Sequence, residues 1–276
     1  MLNLENLVVR KAEDSDALSV VNLLSNNGLN SYWKDNAQWN HFYADYPEGS
    51  PLSLIAELDG KVIGHYGLLP VKFGQWPAML GLHAYVAEPY RGLTVISMLM
   101  QEVDRYTVAS GAKAICGFAN SQFSLIKKTF FQWKIPFWLG FKSGLTADDL
   151  SRDNTPFFFS YSEKWIHWRF GSNKDVYFSR YVTNDGAEHI QLLKSNQNAS
   201  LPQDILSFCE GWSNRYLFTK EQKNQFCQPF SVKAYDQELI DAGIYKGENW
   251  FIEMGDSDTF RYKPWDGFKL DEVILS

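Results

Sequence analysis

The run from Ala78 to Val103 constrains the fold more than any other part of the chain. Ala78-Met79-Leu80-Gly81-Leu82-His83-Ala84-Tyr85-Val86 is apolar, aromatic and β-branched and has strand length, whereas Leu93, Ile96, Leu99 and Val103 recur at helical spacing. Between them lies Ala87-Glu88-Pro89-Tyr90-Arg91-Gly92, punctuated by Pro89 and Gly92. A strand that passes through a short loop into a helix is an anion-binding geometry. The helix start presents unpaired backbone N–H groups and the positive end of the peptide dipole, and a glycine lets a ligand approach the backbone. A phosphate or pyrophosphate fits such a turn, and so does the plainer reading in which Gly92 only closes a strand-to-helix connection.

The elements around this unit follow from local signals. Leu7-Val8-Val9-Arg10 reads as a first strand, and Asp14-Ser15-Asp16 supplies helix caps before Ala17, Leu18, Val20, Val21, Leu23 and Leu24, with Gly28 closing that helix. Residues 30–50 carry Trp33, Trp39, Phe42, Tyr43 and Tyr46 on polar ground, as a second helical stretch or a lid over a cleft. Leu52–Glu57 and Lys61–Pro70 are two strands joined by Leu58-Asp59-Gly60, a hairpin turn. Ala112–Phe118 is a further strand, and Asn120-Ser121 opens a helix running to about Gln132. The order is β-α-α-β-β-β-α-β-α.

Composition narrows the function. A net charge of −6 argues against a nucleic-acid partner, which requires a basic face. No run of about 18 apolar residues exists to cross a membrane. Cys116, Cys209 and Cys227 form no paired motif, which favours a reducing compartment with neither structural disulfides nor a metal site. Met1–Asn6 has no basic segment leading into an apolar core, so a cytoplasmic location is expected.

The element order, the Asp59-Gly60 hairpin, the Arg91-Gly92 turn and the Gly117-Phe118-Ala119-Asn120 strand end together resemble the GCN5-related N-acetyltransferase (GNAT) superfamily, over about residues 7–140. The resemblance implies a mixed-sheet α/β fold that binds acetyl-CoA, without a metal. The turn residues Arg91, Gly92, Leu93, Thr94 and Val95 would then cradle the coenzyme pyrophosphate. Backbone groups of Tyr85 and Val86 would hold the acyl carbonyl and pantetheine, with Asn120 and Ser124 as further coenzyme contacts. Thr94 stands where the family motif has its second glycine, and Pro89 where it has Gln or Arg. A narrower likeness is to bacterial acetyltransferases found with surface-polysaccharide genes, carried by Gly64-His65-Tyr66, Gly117–Asn120, Trp168-Arg169 and Gly255-Asp256-Ser257-Asp258. It implies an amino sugar or similar small amine as acceptor.

Acyl transfer from a thioester to an amine needs a route for the ammonium proton, stabilisation of the carbonyl oxygen and a fate for the departing thiolate. His83, on the strand entering the loop, is the first candidate base, His65 the second, and Glu88 a third acting through water. Each also has a bland reading as a structural or solvated side chain. The helix after Asn120 contains no tyrosine, which many superfamily members use as the acid toward the thiolate; Ser121, Ser124 or water are the substitutes. Lys127 and Lys128 there read as a solvated helix face or as contacts to coenzyme phosphates, and Cys116 as a buried thiol. The alternatives to an acetyltransferase are a non-catalytic ligand-binding protein of the same fold and an acyltransferase with a longer donor.

The polar stretch Thr146–Pro156 reads as a linker, which divides the chain into residues 1–145, the acyl-CoA-binding domain, and 156–276, a C-terminal α/β domain that could be a degenerate copy of the first. In the second part, a helix over Tyr161–Phe170, a hairpin of Val176–Thr183 with Glu188–Lys194, a helix from Leu201 and strands near Phe230–Ala234 and Trp250–Met254 are expected.

Overall fold

A computed structural model describes residues 4–25, 33, 35–73, 76–119, 121–140, 159–160, 164, 168, 176–182, 188–194, 228–245 and 250–253. The expected signals at Gly28, Asn120, Leu201 and Gly255–Asp258, and most of Tyr161–Phe170, lie outside these residues. The first elements are β1 (Leu7–Lys11), α1 (Ala17–Leu24), α2 (Asn36–Trp39), β2 (Leu52–Leu58), β3 (Lys61–Phe73) and β4 (Trp76–Val86). They are followed by α3 (Leu93–Ala109), β5 (Ala114–Phe118), α4 (Ser121–Phe130) and β6 (Lys134–Gly140). Then come β7 (Phe159–Ser160), β8 (Val176–Val182), β9 (Glu188–Lys194), β10 (Gln228–Ala234), α5 (Gln237–Asp241) and β11 (Trp250–Glu253). The expected order of the first half is present. β2 and β3 turn on Asp59 and Gly60 with φ of 50° and 78°, the left-handed pair that a two-residue hairpin requires.

The main sheet runs β1-β2-β3-β4-β5-β10-β6-β11, with β7 pairing the end of β3, while β8 and β9 pair with each other. Among the described residues, β4 with β5 and β6 with β11 are the parallel pairs. On one face Val20, Val21 and Leu24 of α1 and Trp39 of α2, with Phe42 just beyond, cover Ile55, Leu69, Leu80, Leu82, Phe230 and Val232. On the other, Val95, Leu99, Met100 and Val103 of α3 cover Leu54, Ala56, Ile63, Tyr66, Met79 and Ile115. The α3 helix is where the pattern placed it, but its buried stripe runs through Val95, Leu99 and Val103 rather than through Leu93, which is 50% exposed.

The division at 145 and 156 does not coincide with a break in this sheet. β10 lies between β5 and β6, with Ser231 opposite Gly117 and Phe230 opposite Phe137, so a strand from the expected C-terminal domain completes the first one. Further ties hold it there: Lys233 Nζ and the Tyr235 hydroxyl both donate to the Asp104 carboxylate of α3 at 2.5 Å, and the Tyr235 amide donates to the Lys113 carbonyl at 2.9 Å. The Trp168 indole donates to the His41 carbonyl at 2.7 Å and stacks on the His41 ring. The polar stretch resembled a linker in composition, but composition does not report hydrogen bonding across a long excursion.

Candidate functional site

β4 runs to Val86 and β5 to Phe118, yet they pair only through Ala78–Ala114, Met79–Ile115 and Leu80–Cys116. The next residues, Gly81 and Gly117, are as close as their lack of side chains allows: a Cβ on Gly117 would stand 2.8 Å from the Gly81 carbonyl, and a Cβ on Gly81 would meet the Tyr66 phenol. Beyond them β4 continues through residues 82–86 with no paired residue on β5. This stretch, paired with β3 but not with β5, leads directly into the turn and α3.

The cause of the parting is visible on the other side of β4. His65 pairs with Tyr85 and Gly67 with Leu82, so Tyr66 alone faces both His83 and Ala84. That is a β-bulge, which bends a strand and raises its twist. His83 takes φ 50°, the left-handed conformation that a bulge accommodates. The His65 Nδ1 holds it by donating to the His83 carbonyl at 2.8 Å.

At the end of β4, Glu88–Tyr90 forms a short 3-10 turn with Pro89 inside it, and Gly92 caps α3 in extended geometry with φ 173°. Among the described residues no side chain caps α3, and none has an atom within 4 Å of a Cβ added at Gly92. The first-turn amides therefore open onto free space at the positive end of a long helix. Leu93 and Thr94 are exposed there; Val95 turns its side chain into the core and contributes only main chain. Arg91 folds back on the strand, its Nε donating to the Val86 carbonyl at 3.1 Å and its guanidinium 5.4 Å from the Tyr85 ring centre. Lys61 lies beside the same turn, 5.8 Å from the Tyr90 ring centre.

The candidate bases are separated by environment. His65 is fully buried: besides its bond to His83, Nε2 meets the Ser53 hydroxyl at 3.0 Å and the Tyr43 hydroxyl at 3.3 Å. The His83 ring lies edge-on to Trp33 and Phe42, with centroids 4.8 and 4.6 Å away, on the α1–α2 face of the sheet. Glu88 is exposed at the loop. Ser124 is buried and donates to the Ala119 carbonyl at 3.4 Å, so its hydroxyl ties the start of α4 to the end of β5. Cys116 is buried, its thiol facing the Met79 carbonyl at 3.6 Å and pushed well up by burial.

Two features were misread or missed from sequence. Lys127 is 2% exposed and so not on a solvated face, whereas Lys128 is exposed. The Gly81–Gly117 contact was not anticipated; paired glycines in neighbouring strands were its only sequence signal. Among the described residues no group of three potential metal ligands occurs, and no helix is long and apolar enough to cross a membrane.

Residues 20–125 match the family described as Acetyltransferase (GNAT) family. Over this part the chain is similar to GNAT-family acetyltransferases. The match takes in β2 to β5, α3 and the turn between β4 and α3. Among solved structures, a protein of Enterococcus faecalis V583 described as of unknown function and a probable N-acyltransferase shares the fold at TM-score 0.54. It is 10% identical, and the alignment covers 83% of this chain and 72% of that one. A GNAT-family acetyltransferase from Streptococcus pneumoniae aligns at TM-score 0.40 and 17% identity, covering 47% of this chain and 85% of its own. An N-acetyltransferase from Staphylococcus aureus Mu50 aligns at TM-score 0.40 and 18% identity, covering 50% and 91%. No curated protein sequence matches the chain. Within the matched residues the bulged β4, its end beyond the β5 pairing and the start of α3 follow one another directly along the chain.

Proposed function

We propose that the chain is a cytoplasmic N-acyltransferase that moves an acetyl group from acetyl-CoA to the amine of a small molecule, with an amino sugar as the first acceptor to test. The observation that carries this reading is the open track from residues 82–86 of β4 to the Gly92 turn. A pyrophosphate fits the Gly92–Val95 amides, where a β-carbon would intrude on the ligand and on nothing else. The Tyr85 and Val86 main chain suits the amides of a pantetheine arm through sheet-like bonds, with Arg91 shaping that edge from the Val86 carbonyl. Structures of a Brucella melitensis GNAT acetyltransferase and a Clostridium acetobutylicum predicted acetyltransferase are described with acetyl-CoA, which makes it the natural donor to try.

In this reading the amine attacks the thioester carbonyl directly in a ternary complex. His83, at the bulge itself, takes the proton that the attacking nitrogen loses; His65 fixes the bulge from behind; Glu88 serves water at the mouth. A second reading is a ligand-binding protein without catalysis, favoured by the absence of tyrosine from α4.

Release of free thiol from acetyl-CoA with a panel of amino sugars and other small amines tests the reading. Amine-dependent release supports it, and His83→Asn, which tolerates the left-handed backbone, should then lower kcat about 100-fold with little change in KM. Binding of acetyl-CoA without thiol release across the panel favours the non-catalytic reading, and faster turnover with longer acyl donors redefines the donor.

A further inference from the structure

Lys127 is a buried lysine with no part in the acyl transfer proposed above. Its burial is built in by the end of α4. Gln132 takes φ 64°, and the amides of Phe131 and Trp133 both return to the Lys127 carbonyl at 3.0 and 3.3 Å, so the chain leaves the helix through a left-handed residue. That turn lays Trp133 back over the helix, so that the Lys127 Nζ stands 4.2 Å from the Trp133 ring centre and 5.0 Å from that of Phe123. Nζ donates to the Ser231 hydroxyl at 3.3 Å, and Ser231 donates to the Gly117 carbonyl at 2.9 Å. Lys127, Trp133, Ser231 and Gly117 are buried and Phe123 is half-buried; together they join α4, β10 and the end of β5.

The ammonium is placed where β4 and β5 part. Nζ lies 3.7 Å from the point a Gly117 Cβ would occupy, and that same point is 2.8 Å from the Gly81 carbonyl. The neighbouring groups on the same vertex are the Tyr66 phenol beside Gly81 and the Cys116 thiol one residue before Gly117. Burying an ammonium is costly, and a ring face and a hydroxyl offset that cost only in part. An apolar side chain would pack the same space, so the amino group itself is the feature that calls for a role.

We propose that the Lys127 Nζ is the cation that meets the sulfur leaving an acyl thioester attacked in the gap between β4 and β5. The inference rests on the acyl-transfer reading. As the amine forms its C–N bond, the C–S bond breaks with its electron pair going to sulfur. The nitrogen's proton goes to the base, the thiolate pairs with the Lys127 ammonium, and the sulfur takes a proton from solvent on release. Net, one proton moves from nitrogen to sulfur. Ser231 is a positioning residue that holds Nζ toward the gap.

The ultraviolet thiolate absorbance of CoA bound to the whole protein, followed against pH, tests this. A free thiol titrates near about 8.5, and a cation a few ångströms away should bring bound CoA down by about one unit or more. The expected result is a lowered titration in the wild type, retained in Lys127→Arg and lost in Lys127→Met, with kcat for acetyl-CoA falling in Lys127→Met and KM changing less than about threefold. CoA that binds the wild type but titrates as the free thiol overturns the role of Lys127 and leaves the acyltransferase reading standing; this comparison needs no variant to fold. A lowered titration that persists in folded Lys127→Met also overturns it. Wild type that binds no CoA overturns both.

Discussion

The His65 Nδ1 donates a 2.8 Å hydrogen bond to the main-chain carbonyl of His83. A carbonyl can only accept, so this bond fixes the proton on Nδ1 and leaves Nε2 of the neutral ring to accept from the Ser53 and Tyr43 hydroxyls, at 3.0 and 3.3 Å. One imidazole thus reads out the bulge in β4 and ties it to β2. Nitrogen-15 NMR should show His65 as the Nδ1–H tautomer. His65→Leu strands a buried carbonyl and a buried hydroxyl and should cost about 2–4 kcal/mol in urea unfolding. An Nε2–H tautomer, or a loss within experimental error, would contradict the assigned bond.

A chain ended at residue 145, where the polar stretch suggested a boundary, should not fold. It would leave β5 and β6 without the strand between them and remove Phe230 and Val232, both fully buried, from the core beneath α1. Exposed sheet edges of this kind promote association. Size-exclusion chromatography of the truncated chain should show aggregate or no soluble protein. A monodisperse protein with a cooperative melt would show that β10 is dispensable.

The first strand is held by charge. Arg10 donates to the two oxygens of Asp16 at 2.7 and 2.9 Å and also contacts Glu57, and the Asp16 carboxyl is held below its ordinary value of 3.8, first by the Arg10 hydrogen bond. A carboxylate with a lowered folded-state pKa adds stability above its unfolded value and loses it as pH falls through the folded one. Because the Arg10 side chain is 37% exposed, solvent screening limits the contribution to about 1 kcal/mol. Asp16→Asn should therefore destabilise the protein at pH 7, and the difference from wild type should shrink below about pH 4. A difference that stays constant into acid would exclude the ion pair as its source.

What could be read from sequence was what is local. Asp59-Gly60 carries its turn in its own backbone preferences, and the passage from β4 through Gly92 to α3 switches period within a few residues. β6 went unread because its neighbours in the sheet, β10 and β11, come from far along the chain. Lys127 was misplaced for the same reason: its burial depends on a left-handed Gln132 and on Ser231, 104 residues away. The bulge at His83 is a property of two strands in register, and no single stretch displays it. The candidate site was thus legible as a loop, while the opening beside it and the charge beneath it were not.

In the proposed function the Gly92 turn and the end of β4 take the phosphates and arm of an acyl-CoA. Gly92 sits in an extended conformation open to any residue, and a Cβ there meets no atom of the described residues within 4 Å, so Gly92→Val should keep the wild-type melting temperature within a few degrees while filling the ligand's space. Isothermal titration of acetyl-CoA into both proteins is the most direct measurement. The account predicts saturable one-to-one binding to the wild type and at least about a tenfold weaker Kd, or none, for the equally stable variant. Equal affinity in the two proteins, or no binding of acetyl-CoA or longer acyl-CoAs to the wild type, would contradict it.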